Sequence, residues 1–221
     1  GQDLSTYEGG MELKRNFLKN EPGAEVEVSL KKLGEKKNNI YAYEQILKQI
    51  NQAQNIINQK QPETIFTIGG GCDADVPSLA YLNKKLNQDL AVLYFDAHGD
   101  IHTPESSFSK LFYGMLLRIL LGEGDSRLIP MLDSKLTPSQ LFMLGLRDVD
   151  QAELDFIKSQ NIKLITVKEM EQDIEQVITE IKSRGFHNIY IHIDLDVLDP
   201  GEFPYVPLPV KGGLSPATFL K

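Results

Sequence analysis

Short, near-continuous apolar runs alternate with longer amphipathic segments along this chain, and that alternation limits the fold more than any other feature. AVLYF (91–95), LFMLGL (141–146), IKLITV (162–167) and NIYIHID (188–194) have strand length and carry β-branched and aromatic residues. Apolar strands of this kind belong to a parallel sheet covered on both faces. TIFTI (64–68) reads as another buried strand, ending in three glycines. AEVEVSL (24–30) alternates apolar and polar residues, so it reads as an edge strand. MELKRNFLKN (11–20) reads as a short helix, and IYAYEQILKQINQAQNIINQ (40–59) as a long one with Ile40, Tyr43, Ile46, Leu47, Ile50 and Ile57 on one face. VPSLAYLNKKL, FYGMLLRILLG, QAELDFIKSQ and VKEMEQDIEQVITEIKSRG are further helices, the last ending at Gly185. Strands that alternate with helices give an α/β fold with a mostly parallel sheet. Repeats, linkers and low-complexity tracts are not seen, so residues 1–221 are expected to form a single domain.

Composition narrows the function class. The chain has 221 residues and a net charge of −8, which disfavours nucleic acid or an anionic membrane surface as the main partner. No apolar run approaches the roughly 20 residues that a membrane span needs. One cysteine, Cys72, leaves no internal disulfide framework, and with no apolar leader in GQDLSTYEGG a cytoplasmic location is expected. The chain starts without Met and stops at Lys221, just after Ser215 and Pro216, which read as an N-cap and first helical residue. A further C-terminal segment is therefore expected.

Four polar clusters follow the strands: GGGCDAD, DAHGDIH, GLRDVD and DLDVLDP. In an open parallel sheet, ligands bind outside the carboxyl ends of the strands, so separate strands can bring such clusters together. Asp96, His98 and Asp100 alternate along one segment, which puts their side chains on one side. HIDLDVLDP repeats the pattern. Carboxylates with one imidazole suit hard or borderline divalent ions such as Mn²⁺. Five such groups are too many for one catalytic ion with open positions and suit a carboxylate-bridged pair. Two ions roughly 3.5–4 Å apart can share a hydroxide and make it a nucleophile near neutral pH.

FDAHGDIHTPESS and HIDLDVLDP resemble the two signature motifs of the ureohydrolases, the family of arginase, agmatinase and formimidoylglutamase. GLRDVDQAE, GGGCDADVPSLAYL and GGLSP resemble further family segments, so the likeness runs from about residue 60 to 216. It implies a three-layer α/β/α fold, a dimanganese centre and hydrolysis of a C–N bond in a linear guanidine or amidine. By position, Asp96 and Asp194 resemble the bridging carboxylates. His98 and Asp196 complete one metal site, and Asp100 binds the other and orients the nucleophile. Ser109, Asp150 and Glu153 match residues that hold the substrate's amino-acid end. His102, which replaces a family asparagine, and Asp148 are further candidate substrate contacts. Family members form trimers or hexamers through C-terminal parts, so a homo-oligomer is an open expectation.

The chain also departs from the family. The histidine ligand to the second metal falls on Cys72 and its preceding aspartate on Gly71. A thiolate is a softer ligand that favours Zn²⁺ over Mn²⁺. Tyr113 stands where arginases carry a proton-shuttling histidine, and a phenol titrates near 10. Each candidate has a plainer reading. Cys72 and Tyr113 could be packing residues, His102 a surface histidine, Asp150 and Glu153 a solvated helix start, and Asp148 a salt-bridge partner of Arg147. The function expected is a metal-dependent hydrolase of linear guanidines or amidines that turns arginine over poorly; the alternatives are a degenerate member binding a metal or small amidine without turnover, and a related amidohydrolase acting on acylated amines, against which GLRDVD and GGLSP argue.

Overall fold

The computed structural model describes residues 4–19, 21, 23–30 and 34–221. They fall into two compact units, Gly1–Lys85 with Asp100–Lys135, and Leu86–Gly99 with Leu136–Lys221. Among the described residues, no helix is long and apolar enough to cross a membrane.

The first unit is helical: α1 (Leu4–Phe17), α2 (Tyr43–Lys60), α3 (Val76–Lys85) and α4 (Leu116–Leu120). Tyr43, Ile46, Leu47, Ile50 and Ile57 of α2 are buried, at the spacing that puts one face of a helix inward. α1 begins well before MELKRNFLKN and ends at Phe17; Asn20 lies outside the described residues. FYGMLLRILLG is not one helix. A 3-10 turn over Phe112–Met115 precedes α4, because Met115 leaves helical geometry at φ −125 and ψ −4. Neither AEVEVSL nor TIFTI is a strand, and Phe66 is 78% exposed. Both segments have strand-like composition, but a strand exists only where a second chain segment completes its hydrogen-bond ladder.

Asp125 ties this unit together. Its buried carboxylate accepts bonds from Tyr43 Oη (2.5 Å), Asn38 Nδ2 (2.8 Å) and the amides of Arg127 (2.9 Å) and Leu128 (3.0 Å). Burial alone would raise its pKa, but these bonds outweigh burial and hold the carboxyl below the usual range. Burial, with Asp125's bond and charge, pushes the Tyr43 phenol up to about 12. The depressed carboxyl adds stability above an unfolded pKa of about 3.9 that is lost as pH falls through the lower folded value. The phenol adds stability below an unfolded pKa of about 10, and this is lost as pH rises through about 12. Asp125→Ala is expected to lower unfolding stability by about 2–3 kcal/mol at pH 7, since it orphans buried donors. Urea unfolding checks this, and the deficit should shrink as pH falls below 4. An unchanged urea midpoint at pH 7 would contradict it.

The second unit holds a four-stranded, wholly parallel sheet of β1 (Ala91–Phe95), β2 (Leu141–Leu144), β3 (Lys163–Ile165) and β4 (Ile189–Ile193), in the order β3-β2-β1-β4. Its helices are α5 (Gln151–Ser159), α6 (Val167–Gln172), α7 (Ile174–Ser183) and α8 (Pro216–Phe219). The fold class is the expected one, a parallel sheet flanked by helices. The long helix expected over 167–185 is two helices. Asp173 breaks it with φ −156 and ψ 84 and caps α7 by accepting from the Gln176 amide at 2.9 Å. A short polar side chain inside a helical pattern offers the backbone this competing bond.

Met170, Val177 and Ile181 of α6 and α7 pack on Ala91, Phe142, Leu144 and Ile165 from β1, β2 and β3. β4 is different from the expected strand buried on both faces. Tyr190 and His192 are buried, whereas Ile189, Ile191 and Ile193 are 56%, 57% and 46% exposed. Among the described residues β4 is an edge strand, and the cluster on that face draws on the other three strands.

Candidate metal centre

β1 and β4 are parallel neighbours with Phe95 opposite Ile193, so Asp96 and Asp194 leave the sheet side by side at its carboxyl edge. Backbone bonds from Asp96 N to Leu144 O (3.1 Å) and from Asp194 N to Phe95 O (2.8 Å) carry the pairing one residue past the strands. Each aspartate then folds its own chain. Asp96 Oδ1 accepts the His98 amide at 2.7 Å, and Asp194 Oδ1 accepts the Asp196 amide at 2.8 Å. An aspartate that bonds the amide two residues on makes a tight turn. The two matching turns bring the i+2 side chains, His98 and Asp196, together. Their Nδ1 and Oδ2 atoms are 2.9 Å apart, and His98 Nδ1 is 3.5 Å from Asp96 Oδ1. Asp196 Oδ1 also accepts the Ala97 amide at 3.0 Å, which stitches one turn to the other.

Ligand atoms of Asp96, His98 and Asp196 lie within 4.8 Å of one another, with both carboxylates buried. Burial works against a charge on His98, yet bonds to Asp196 and Asp96 outweigh it and push the imidazole up to about 11. Burial and the charges of Asp96 and Asp194 push Asp196 up to about 6, against the lowering bond from His98. Burial opposes ionisation of Asp96 too, but the nearby His192 and His98 imidazoles and the bond from the His98 amide hold it below the usual range. The protein alone therefore stabilises a proton on His98, wedged between carboxylates. A divalent cation can replace that positive charge once the imidazole is deprotonated. Nitrogen and oxygen donors at this density fit a hard or borderline divalent ion.

Asp148 Oδ2 lies 3.6 Å from His98 Nε2, on the side of the ring away from Asp196. The His98–Asp148 backbone bridge holds it there. A carboxylate behind a ligating imidazole fixes its tautomer and ring orientation. Asp148 is not the salt-bridge partner of Arg147. The Arg147 guanidinium instead donates to carbonyls: Asp196 O (2.6 Å), Val210 O (2.8 Å), Gly145 O (3.0 Å), Lys211 O (3.2 Å) and Leu198 O (3.4 Å). Asp199 completes this brace by accepting the amides of Gly201 and Gly212 at 2.8 Å and Gly213 at 3.2 Å. Gly213 is required by close approach, since a Cβ there would fall 2.5 Å from Val197 O and Leu198 C.

Asp150 and Glu153 form a capping box at the start of α5. Asp150 Oδ1 accepts the Glu153 amide at 3.0 Å, and Glu153 Oε2 accepts the Asp150 amide at 3.3 Å. Glu153 also packs on the DAHGD turn, 2.6 Å from where a Cβ on Gly99 would sit.

The other sequence candidates belong to the first unit. Cys72 is buried at the start of the 3-10 turn Cys72–Asp75. Asp100 is buried in the left-handed region, at φ 48. Its carbonyl accepts the Leu117 amide at 3.1 Å, and its Oδ1 lies 4.0 Å from where a Cβ on Gly114 would sit. Left-handed backbone is uncommon outside glycine and tolerated best by Asn and Asp. Tyr113 lies in the turn before α4, with its Cβ 3.8 Å from the equivalent point on Gly71. His102 Nδ1 pairs with Ser106 Oγ at 3.1 Å, and Ser109 Oγ accepts the Leu111 amide at 3.3 Å.

Sequence reasoning passed over Arg147 as more than an ion-pair partner, and it passed over His192. The signal for His192 was present, because His192, Asp194 and Asp196 repeat the alternation of Asp96, His98 and Asp100. The bracing roles of Arg147 and Asp199 rest largely on bonds to backbone farther along the chain, which no motif records.

Residues 7–221 match the family described as the arginase family. Arginase of Staphylococcus aureus (strain COL) is 34% identical over 199 residues, covering 85% of this chain and 64% of the relative. The chain thus spans somewhat less than two thirds of the length of that curated relative. Among solved structures, arginase from Bacillus cereus is 30% identical with a TM-score of 0.73, covering 81% of this chain and 65% of that one. Arginase from Bacillus subtilis is 25% identical with a TM-score of 0.80, covering 97% and 75%. A match along nearly the whole chain, together with relatives at this identity, places the chain in the arginase family.

Proposed function

We propose that this chain carries the metal centre of a Mn²⁺-dependent hydrolase that cleaves a C–N bond in a small linear guanidine or amidine. The observation that carries the reading is the convergence of Asp96, His98 and Asp196, beside Asp194, at the carboxyl edge of a parallel sheet. When bound, divalent ions acidify water into a nucleophile and stabilise the charge that develops on the attacked carbon's substituents.

The chain's own residues supply the rest. Asp96 and Asp196 offer buried carboxylates held in tight turns, and His98 offers Nδ1 with its ring set by Asp148. We assign Asp100 to orienting the nucleophile. Asp150 and Glu153 are assigned to the substrate's amino group. Their capping bonds do not preclude this, because a carboxylate has room for several donors. On the resemblance, Ser109 and His102 are assigned to substrate contacts and Tyr113 to the place of the proton-shuttling residue. Cys72, at the place of a histidine ligand, favours a second reading in which the chain binds metal or a small amidine without turnover.

The test is metal binding followed by turnover. Equilibrium dialysis should find tight Mn²⁺ binding that Asp196→Asn weakens. Urea release from arginine, agmatine and guanidinobutyrate, and formamide release from formiminoglutamate, should depend on added Mn²⁺, with arginine a poor substrate. Binding without turnover on the whole panel would favour the second reading. Failure to bind any divalent ion would end the hydrolase reading.

A further inference from the structure

We infer that His192 is a ligand of a second divalent ion, which shares the Asp96 carboxylate with the ion held by His98 and Asp196; this deepens the metal reading above and rests on it. Strand alternation turns His192 away from the exposed Ile189, Ile191 and Ile193 and buries it. Its register partner on β1 is Tyr94, and the two rings stack with centroids 4.0 Å apart and planes 7° from parallel. The stack fixes the imidazole plane, so its Nε2 is delivered to one place. That place is 3.8 Å from Asp96 Oδ2. The other oxygen of the same carboxylate, Oδ1, is 3.5 Å from His98 Nδ1. Asp96 therefore has an imidazole nitrogen beside each of its two oxygens.

The distance fits ligation better than a direct bond. An N–H···O bond is about 3 Å long. Two donors each about 2.1 Å from one ion are separated by roughly 3–4 Å, depending on the angle at the ion. A carboxylate with a donor beside each oxygen is also the arrangement that lets one aspartate bridge a pair of ions. A core histidine that only fills space beside Tyr94 needs no carboxylate oxygen at that nitrogen.

Two measurements test the assignment. The first is Mn²⁺ stoichiometry by equilibrium dialysis on the wild type and on His192→Phe, which keeps an aromatic ring against Tyr94 and removes the nitrogen. The wild type should bind two ions per chain. The variant should keep the first and bind the second at least about 10-fold more weakly, the least that disturbing a ligand shell costs. Thermal unfolding without metal establishes that the variant is folded. The second needs no variant at the site. The chain has four histidines, so ¹⁵N-histidine spectra of the wild type are tractable. Titration with diamagnetic Zn²⁺ should move a His192 ring nitrogen as well as one of His98. Wild type that binds one ion, or His192→Phe that binds two ions as the wild type does, would overturn the inference and leave the metal reading standing. Zn²⁺ that moves His98 alone would do the same. Wild type that binds no ion at all would remove both.

Discussion

Asp96→Ala is expected to abolish metal binding at the centre while leaving a folded protein. Asp96 Oδ1 accepts the His98 amide, faces the His98 ring, and belongs to the buried cluster with Asp196. One substitution therefore removes a charge, a donor and the bond that shapes the DAHGD turn. Loss of an outer partner of a ligand typically costs 10–100-fold in metal affinity, so loss of this carboxylate, itself a proposed ligand, should exceed about 100-fold. Metal-dependent turnover should fall below detection with it. Asp96→Asn separates the causes. Its side-chain oxygen can still accept the His98 amide, so the turn should persist while the charge is gone. Dialysis against Mn²⁺ and circular dichroism on both variants provide the check. Wild-type affinity in Asp96→Ala would show that the cluster is a hydrogen-bonded turn and nothing more.

Arg147→Met should be the most destabilising single change at the brace behind the centre. Three of its bonds, to Asp196 O, Val210 O and Gly145 O, are 3.0 Å or shorter. Hydrogen bonds from a charged donor contribute about 1.5–3 kcal/mol each, and the three share one side chain, so a combined loss of about 4 kcal/mol is expected. Arg147→Lys should recover little, because an ammonium cannot reproduce a planar fork aimed at several acceptors. Metal binding at the proposed site should suffer as well, since the carbonyl of Asp196 loses its anchor. Urea unfolding measures the first effect and Mn²⁺ dialysis the second. A variant with wild-type stability would mean that water replaces the guanidinium at these carbonyls at no cost.

How far the sequence could be read differs element by element. The segments AVLYF, LFMLGL, IKLITV and NIYIHID all became strands of one parallel sheet, because a short apolar run between helices has few other ways to bury itself. TIFTI and AEVEVSL carried similar signals and are not strands. Composition reports what a segment tolerates, while strand formation depends on a partner that composition does not name. Gln172-Asp173 shows the opposite error, in which helical periodicity over 167–185 hid a local side-chain bond that restarts the helix. At the site, Asp96, His98, Asp194 and Asp196 were legible because alternation and strand ends are local facts. Asp148 was legible as a residue of interest but not as the carboxylate behind His98, since a parallel bridge between distant segments sets that contact.

The sequence by itself determined the α/β class, the family resemblance and the two motifs that supply the candidate metal ligands. Those follow from residue type and spacing along one stretch of chain. Tertiary structure alone decided which oxygen faces which nitrogen. It set His98 Nδ1 toward Asp196 and Nε2 toward Asp148, and it stacked His192 on Tyr94 near Asp96. It also turned Arg147 from an ion-pair candidate into a clamp on five carbonyls. The physical reason is range. Propensity and periodicity act within a few residues, whereas register between strands and bonds to remote backbone are fixed only when the whole unit packs.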